Sequence, residues 1–241
     1  NRSGLKSFGQ AGRMSTTHVI ARRSETTTKQ SIRARDSFVG LWPPRNDRKI
    51  RTLAMTKCGE DLYKIDMFEV IGTNGRARRG KLMTAHGIVE TPAFMPIATK
   101  GAVKTLSSVD MERLGAQILL SNTYHLLLRP GLEGMKKLGG LHKLMAWDKP
   151  ILTDSGGYQV FSLSRISKIT EEGVKFASPI DGTKTLLTPE LSMQMQQAIG
   201  TDIAMQFDDV APGQSSRVRF EDAMERSLRW AKRSKETWSS L

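Results

Sequence analysis

Residues 150–163 read PILTDSGGYQVFSL, an apolar run that ends at Asp154 and is followed at once by two glycines. This pattern predicts a short buried strand that leads into a tight turn. Similar runs at 117–120 and 202–207 predict two more strands, and the second of these leads to Asp208. Polar side chains therefore follow the predicted carboxyl end of each strand.

Helical patterns lie between and after these strands. Thr188 and Pro189 form a hydroxyl N-cap with proline at the first helical position, and Gly200 ends the helix that begins there. Short helices are also predicted over 107–114 and 132–138. A last amphipathic helix carries its apolar residues at Phe220, Ala223, Met224, Leu228 and Ala231. We expect the Met and Leu side chains at these helical spacings to lie in the core.

Strands that alternate with helices predict an α/β fold with a parallel sheet. An open doubly wound sheet and a (β/α)₈ barrel both fit, and both place chemistry at the carboxyl ends of the strands. A complete barrel takes about 250 residues. The domain predicted at 65–241 is shorter than that, so we expect only the N-terminal part of a barrel in this chain.

The first 64 residues differ from the rest in composition. Residues 1–64 carry 14 Lys and Arg against 5 Asp and Glu, whereas the remaining residues carry 23 against 19. They are rich in Ser, Thr and Arg and show no sustained helical or strand period. This composition is typical of a disordered extension or an organelle transit peptide. It predicts a cytoplasmic or a mitochondrial (or other organellar) location, and no apolar run is long enough to span a membrane.

Several classes of site are excluded. The single cysteine, Cys58, rules out an internal disulfide and a multi-cysteine metal site within these residues. The glycine-rich phosphate loops and the nucleophile elbow of serine hydrolases are absent from the sequence. Metal binding is the weakest of the roles open to Asp208 and Asp209, because further ligands at suitable spacing are missing, and we predict no metal site. His86 and His142 have no supporting context either.

The segment DSGGYQ, at 154–159, is the strongest candidate site. A carboxylate in a partly dry turn can perform acid–base chemistry near neutral pH. Bare glycine backbone admits a flat ligand, and the aromatic ring and the amide after it can stack and hydrogen-bond. The residues are Asp154, Ser155, Gly156, Gly157, Tyr158 and Gln159. A plain tight turn or helix N-cap explains the same residues about as well.

Two further polar clusters come after predicted strands. NTYHLLLRPG, at 122–131, contains Asn122 and His125, which we interpret as supporting residues behind the site. A lone histidine is more often a hydrogen-bonded structural residue than a catalytic group. Asp208 and Asp209 could bind a metal ion, accept the donor groups of a purine-like base, or cap the next segment of the chain.

Seven segments, taken in order, resemble the tRNA-guanine transglycosylase (queuine tRNA-ribosyltransferase) family of the catalytic-subunit type. They are GRARRGKLMTAHGIVETPAFMP (75–96), NTYHLLLRPG (122–131), PILTDSGGYQVFSL (150–163), ITEEGVKF (169–176), LTPELSMQMQ (187–196), DIAMQFDDV (202–210) and SLRWAKRS (227–234). The resemblance implies a (β/α)₈ TIM-type barrel with an inserted zinc subdomain. It also implies a pentosyltransferase that exchanges the wobble guanine of tRNAs with a GUN anticodon for queuine or a 7-deazaguanine precursor.

The same resemblance implies roles for individual residues. Asp154 resembles the aspartate that acts as general acid and base for the departing and incoming base. Asp208 resembles the aspartate that accepts hydrogen bonds from the base, which suits a carboxylate because it is acceptor-only. Ser155, Gly156, Gly157 and Tyr158 would line the base pocket, with Tyr158 stacked on the heterocycle and with Asn122, His125 and Gln159 behind it.

Other family features are not found in these 241 residues. They are a second aspartate in a segment like DCVxPTR, which attacks the ribose, and the three cysteines and one histidine that bind a structural zinc ion. We therefore expect no cofactor in this chain, a zinc ion only in a full-length protein, and no turnover by residues 1–241 alone.

The resemblance also bears on the substrate and on partners. Val210 stands where queuine-using members tend to have valine and precursor-using members tend to have cysteine. The family acts as dimers, so we expect a homo- or heterodimer. The alternative interpretation is a non-catalytic partner subunit, which would not need to keep DSGGYQ.

Overall fold

The computed structural model describes residues 67–163 and 167–241. The extension predicted at 1–64 lies outside the described residues, and the domain boundary near residue 65 stays a prediction. The strands, in chain order, are β1 Phe68–Asn74, β2 Ala77–Thr84, β3 Gly87–Thr91, β4 Ile97–Ala98, β5 Leu119–Asn122, β6 Ile151–Asp154, β7 Ser167–Ile169, β8 Val174–Ala177, β9 Lys184–Leu187 and β10 Ile203–Ala204. The helices are α1 Ser108–Arg113, α2 Thr123–Leu128, α3 Leu132–Leu138, α4 Leu141–Met145, α5 Gly157–Leu163, α6 Pro189–Ile199 and α7 Arg217–Ser240.

A four-stranded parallel sheet confirms the predicted α/β class. Its strands lie in the order β4, β5, β6, β10, which is also their order along the chain. A doubly wound sheet reverses its strand order at a switch point, and these four strands show no reversal. The described strands form this sheet and two antiparallel ones, not a closed barrel.

Two three-stranded antiparallel sheets accompany the parallel one. The first contains β1, β2 and β3 as two successive hairpins, and the second contains β7, β8 and β9. The second sheet lies between α5 and α6 in the chain, so it interrupts the strand–helix alternation.

The helix boundaries follow the capping residues that the sequence indicated. Ser107 forms a capping box with Asp110 at the start of α1, and Thr188 Oγ1 accepts the backbone N–H of Leu191 at the start of α6. Gly200 ends α6 with a left-handed backbone conformation (φ of 78°). These helix predictions are confirmed.

The strand predicted over 202–207 is shorter in the structure, where β10 covers two residues. The buried side chain of Gln196 is the reason. Its Oε1 accepts the backbone N–H of Met205 at 2.9 Å, and its Nε2 donates to the carbonyl of the same residue at 2.9 Å. The Gln196 side chain therefore bonds both backbone polar groups of Met205, and the N–H of Met205 also reaches the carbonyl oxygen of Thr153 in β6 at 3.3 Å.

The core consists of two clusters of buried side chains. The larger one packs one face of the parallel sheet against α1, α3, α4 and α6, and Trp147 and Met195 are fully buried in it. The second joins the β7–β9 sheet to α7 through Phe207 and Trp230, whose rings stack at 4.9 Å. Since both clusters contact residues next to the carboxyl ends of β5 and β6, those ends are held firmly.

Helix α7 corrects one expectation about the core. Ala223 and Ala231 are buried as predicted, together with Trp230 and Ser234. Phe220, Met224 and Leu228 are instead 43%, 54% and 38% exposed. The helix docks through small residues, one tryptophan and arginine ion pairs. The apolar stripe of Phe220, Met224 and Leu228 therefore lies on the neighbouring, exposed face of α7.

Candidate active site

Asp154 is the last residue of β6, and its carboxylate accepts hydrogen bonds from two directions. Oδ2 accepts from Asn122 Nδ2 at 2.5 Å and from Gln159 Nε2 at 3.2 Å. Oδ1 accepts the backbone N–H of Thr123 at 3.1 Å and that of Gly156 at 3.2 Å. Asn122 can reach it because β5 and β6 pair in a register that places Asn122 beside Asp154.

The environment of this carboxyl group suits proton transfer near neutral pH. Burial raises the pKa of Asp154 to about 6, although the four hydrogen bonds to its oxygens act in the opposite direction. A carboxyl group with a pKa close to neutrality exists in both protonation states under physiological conditions. Such a group can donate a proton and take one back within a catalytic cycle.

The glycine turn after Asp154 brings a second carboxylate to the same place. Ser155 Oγ donates to Asp208 Oδ1 at 3.1 Å and accepts the backbone N–H of Gly157 at 3.3 Å. Only glycine fits at position 157, because a Cβ there would lie 2.8 Å from both the main-chain oxygen and Oδ1 of Asp208. Gly156 has a positive φ of 85° and packs against Tyr124.

Asp208 and Asp209 point to different surroundings and do not form a paired-carboxylate site. Burial raises the pKa of Asp208, and the neighbouring Asp209 charge adds to that effect, against the hydrogen bond from Ser155. Asp209 is bound by Arg219 at 2.6 and 2.9 Å and by Arg226 at 2.5 Å. Burial alone would raise the pKa of Asp209, but the two guanidinium groups outweigh it and lower the pKa. Asp209 therefore anchors α7.

The remaining predicted residues take different positions around the turn. The Tyr158 side chain is 60% exposed beside the turn, so its ring is free to stack on a ligand. Gln159 and Asn122 hold Asp154 directly, as supporting residues would. His125 donates its backbone N–H to Asn122 Oδ1 at 3.0 Å, while its ring packs edge-on against Tyr124. The link from His125 to the acid therefore runs through its backbone.

Two supporting residues were missed by the sequence analysis. Thr123 donates its backbone N–H to Asp154 and its hydroxyl to the carbonyl of the same residue. Ser192, in α6, donates its hydroxyl to the carbonyl of Ser155 at 2.8 Å. The position of Thr123 directly after Asn122 was an available signal. Ser192 contributes from a distant helix, and no local pattern marks it.

A sequence model described as Queuine tRNA-ribosyltransferase matches residues 73–240, which include every predicted site residue. The chain belongs to the queuine tRNA-ribosyltransferase family. The predicted family is therefore confirmed.

Bacterial relatives named queuine tRNA-ribosyltransferase support this membership. The protein of Acinetobacter baylyi is 55% identical over 175 residues, which cover 73% of this chain and 45% of the relative. The protein of Thiobacillus denitrificans is 56% identical over 168 residues, covering 70% and 46%. The protein of Pseudoalteromonas translucida is 56% identical over 169 residues, covering 70% and 45%. The chain spans just under half the length of these queuine tRNA-ribosyltransferases.

The described part of this family member contains no helix with the length and apolar character that crossing a membrane requires.

Proposed function

We propose that this chain supplies the base-recognition and acid–base part of a tRNA-guanine transglycosylase, a pentosyltransferase of queuosine tRNA modification. Its substrates would be tRNAs with a GUN anticodon and queuine or a 7-deazaguanine precursor. The observation that carries the proposal is the convergence of Asp154 and Asp208 on one glycine turn, linked through Ser155. The names of the bacterial relatives support the same activity.

In this proposal Asp154 moves the proton. Breaking the bond between guanine and ribose leaves negative charge on the departing base, and a protonated carboxyl group neutralises it. The resulting carboxylate then takes a proton from the incoming base as the new glycosidic bond forms. The pKa of about 6 for Asp154 supports both directions of transfer.

Asp208 and Tyr158 would select the base. The amino and ring N–H groups of a guanine-like base are adjacent donors, and a carboxylate offers acceptors only. The hydrogen bond from Ser155 to Oδ1 holds the Asp208 carboxylate at the turn. The exposed Tyr158 ring offers a face for stacking, once the base has left the RNA stack. Val210, half-buried after Asp209, supports queuine as the incoming base.

The second carboxylate of the reaction would come from outside these residues. The family attacks the ribose with an aspartate in a segment like DCVxPTR, which does not occur in this sequence. We propose that the four parallel strands are an arc of a (β/α)₈ barrel, and that residues 1–241 alone do not turn over. The zinc ligand set of three cysteines and a histidine does not fit a chain with one cysteine, so no step here involves zinc.

Two further parts of the proposal concern assembly and location. A homo- or heterodimer is proposed from the family resemblance, and a cytoplasmic or organellar location from the basic segment at 1–64. The non-catalytic partner subunit is not favoured, because a subunit without chemistry has no need for the Asp154 pocket.

Titration of the 241-residue chain with queuine, followed by isothermal calorimetry, tests the base pocket. Asp208→Asn should weaken binding about 10- to 100-fold, because a hydrogen bond to a charged group contributes about 1.5–3 kcal/mol. The exposed Asp148 provides the matched control, since Asp148→Asn changes the same chemistry away from the turn. Equal affinity of the wild type and Asp208→Asn for queuine would refute the proposed role of Asp208 in binding the base.

Exchange of labelled guanine into a tRNA with a GUN anticodon tests whether turnover needs residues beyond the 241 of this sequence. We expect no exchange by residues 1–241, and exchange by a longer protein that contains them together with the second aspartate. In that longer protein Asp154→Asn should abolish exchange while queuine binding persists. Exchange by residues 1–241 alone would contradict the proposal.

A further inference from the structure

A second cluster of polar side chains lies at the amino ends of the parallel strands, away from the Asp154 turn. His86 comes from the turn between β2 and β3, His142 from α4, and Asp202 from the residue before β10. One nitrogen from each ring and one oxygen of Asp202 all lie within 4.8 Å of one another. The Asp202 carboxylate has no exposed side-chain surface, and the rings of His142 and His86 are 16% and 39% exposed.

The distances between these atoms lie on either side of the spacing between ligands of one metal ion. His86 Nδ1 lies 2.9 Å from Asp202 Oδ1, and His142 Nε2 lies 3.7 Å from Asp202 Oδ2. His142 Nε2 donates a hydrogen bond to the backbone oxygen of Lys149 at 3.1 Å, and an ion bound by Nε2 would replace that proton. Nitrogen and oxygen ligands bound at about 2.1 Å are held roughly 3–3.5 Å apart around one ion.

The surroundings favour a cation. The cluster borders a cavity of about 400 Å³ that is lined by Gly139 and Gly200, the C-cap residues of α3 and α6. Helix carboxyl ends carry partial negative charge on their free carbonyl groups. Lys136 also borders the cavity, but its ammonium group is paired with Glu133 at 3.0 Å. A cation in the cavity would therefore lie beside two helix carboxyl ends and close to a buried carboxylate.

Hydrogen bonds hold both the backbone and the rings of this cluster, since His86 Nδ1 lies 2.9 Å from Asp202 Oδ1 and His142 Nε2 lies 3.1 Å from the Lys149 carbonyl oxygen. Asp202 accepts the backbone N–H groups of His86 and Ile151, which ties the β2–β3 turn to the start of β6. Those two bonds need neither imidazole ring. The two rings also stack on each other, with their centroids 3.8 Å apart. Because an ion must lie in the plane of each ring, the more exposed His86 ring has to turn when the ion binds.

We propose that His86, His142 and Asp202 bind one transition-metal cation of the Zn²⁺ type. Two imidazoles and a carboxylate are a ligand set that zinc and its neighbours accept, and neutral imidazole also suits Ni²⁺ and Cu²⁺. The ion links the β2–β3 turn to the parallel sheet, since its ligands come from segments up to 116 positions apart in the chain. This site is separate from the cysteine-based zinc site that the family resemblance implies, and it does not depend on the proposed function.

Zn²⁺ titration of the tag-free 241-residue chain, stripped with EDTA, tests the site by calorimetry. We expect one ion per chain. His86→Gln and His142→Gln should each weaken binding by more than the roughly 10- to 100-fold that loss of an outer partner costs. His125→Gln is the matched control, because His125 lies in α2 after the carboxyl end of β5, whereas the cluster lies at the amino ends of the strands, and it should bind as the wild type does.

Two further readouts distinguish an ion-binding site from a cluster that is held together by hydrogen bonds alone. His86→Gln keeps the backbone N–H bond to Asp202, so its circular dichroism spectrum should match that of the wild type. Zn²⁺ should raise the melting temperature of the wild type and of His125→Gln, but not that of His142→Gln. Absence of Zn²⁺ binding by the folded wild type, or binding by both cluster variants as tight as that of the wild type, would overturn the proposal.

Discussion

Replacing Gln159 by methionine should raise the pKa of Asp154 further. Gln159 Nε2 donates to Asp154 Oδ2 at 3.2 Å, and this bond favours the ionised carboxylate. Gln159 Oε1 is buried and has no hydrogen-bond partner among the described residues, so methionine leaves no orphaned group behind. The substitution therefore removes one donor and preserves the volume of the side chain.

The size of the shift follows from the strength of that bond. A hydrogen bond to a charged group contributes about 1.5–3 kcal/mol, and a length of 3.2 Å places this one at the lower end. Since about 1.4 kcal/mol equals one pKa unit, the pKa should rise from about 6 to about 7. At pH 7 the protonated fraction of Asp154 would then increase from about 10% to about 50%.

The same shift changes the pH dependence of stability. A carboxyl group with a raised folded-state pKa stabilises the fold most below its unfolded pKa, and this stability is lost as the pH rises through the folded pKa. For Asp154 the loss is about 3 kcal/mol between pH 4 and pH 6. Gln159→Met should increase the loss by about 1.4 kcal/mol and extend it to about pH 7.

Carbon-13 NMR of the side-chain carboxyl groups measures this pKa directly. The spectrum of Asp154→Asn identifies the Asp154 signal, and a titration from pH 4 to pH 9 gives the midpoint. Gln214→Met is the matched control, because Gln214 is exposed and far along the chain from the turn. A midpoint in Gln159→Met that is equal to or below that of the wild type would refute the reasoning.

Three other substitutions test the site and its supports. Gly157→Ala places a methyl carbon 2.8 Å from two oxygens of Asp208. The affinity for queuine should therefore fall at least 10-fold, and the free energy of unfolding should fall by about 1–3 kcal/mol. Arg226→Met leaves Asp209 with one arginine partner and should lower the unfolding free energy by about 2 kcal/mol at pH 7. Because the pKa of Asp209 is held low, this contribution is present above its unfolded pKa and is lost as the pH falls through the folded pKa. Thr188→Ala removes the N-cap of α6 and should cost about 1 kcal/mol. Urea unfolding and calorimetry measure these effects.

Matched variants separate these effects from general damage. Gly213→Ala adds a methyl group where nothing lies within 4 Å, so it should leave both queuine binding and stability unchanged. Arg217→Met breaks an exposed ion pair with Glu221 and should change stability far less than Arg226→Met does. If either control matches its test variant, the local contact is not the cause.

Local signals in the sequence located three of the four parallel strands, β5, β6 and β10, and four helices, α1, α3, α6 and α7. We could predict α1, α3 and α6 from hydroxyl N-caps, a first-turn proline and terminal glycines, because capping depends on neighbours within one turn. The run that ends at Asp154 located β6, and DSGGYQ identified the turn where both site carboxylates meet. The ordered motifs identified the family.

Contacts between distant segments were decided by the tertiary structure alone. The pairing of β5 with β6 brings Asn122 to Asp154, and the docking of α7 turns Asp209 away from Asp208 toward two arginines. The same docking leaves the apolar stripe of α7 exposed. Sequence periodicity shows which face of a helix is apolar, but not which face meets a neighbour.

The histidine cluster is the clearest case of this limit. His86, His142 and Asp202 carry no motif, and each is ordinary in its own segment. They meet because a hairpin turn, a short helix and the start of a strand converge at one edge of the parallel sheet. A turn or a helix cap depends on adjacent residues and can be predicted from them. A site assembled from three separate segments exists only after the sheet has placed those segments together.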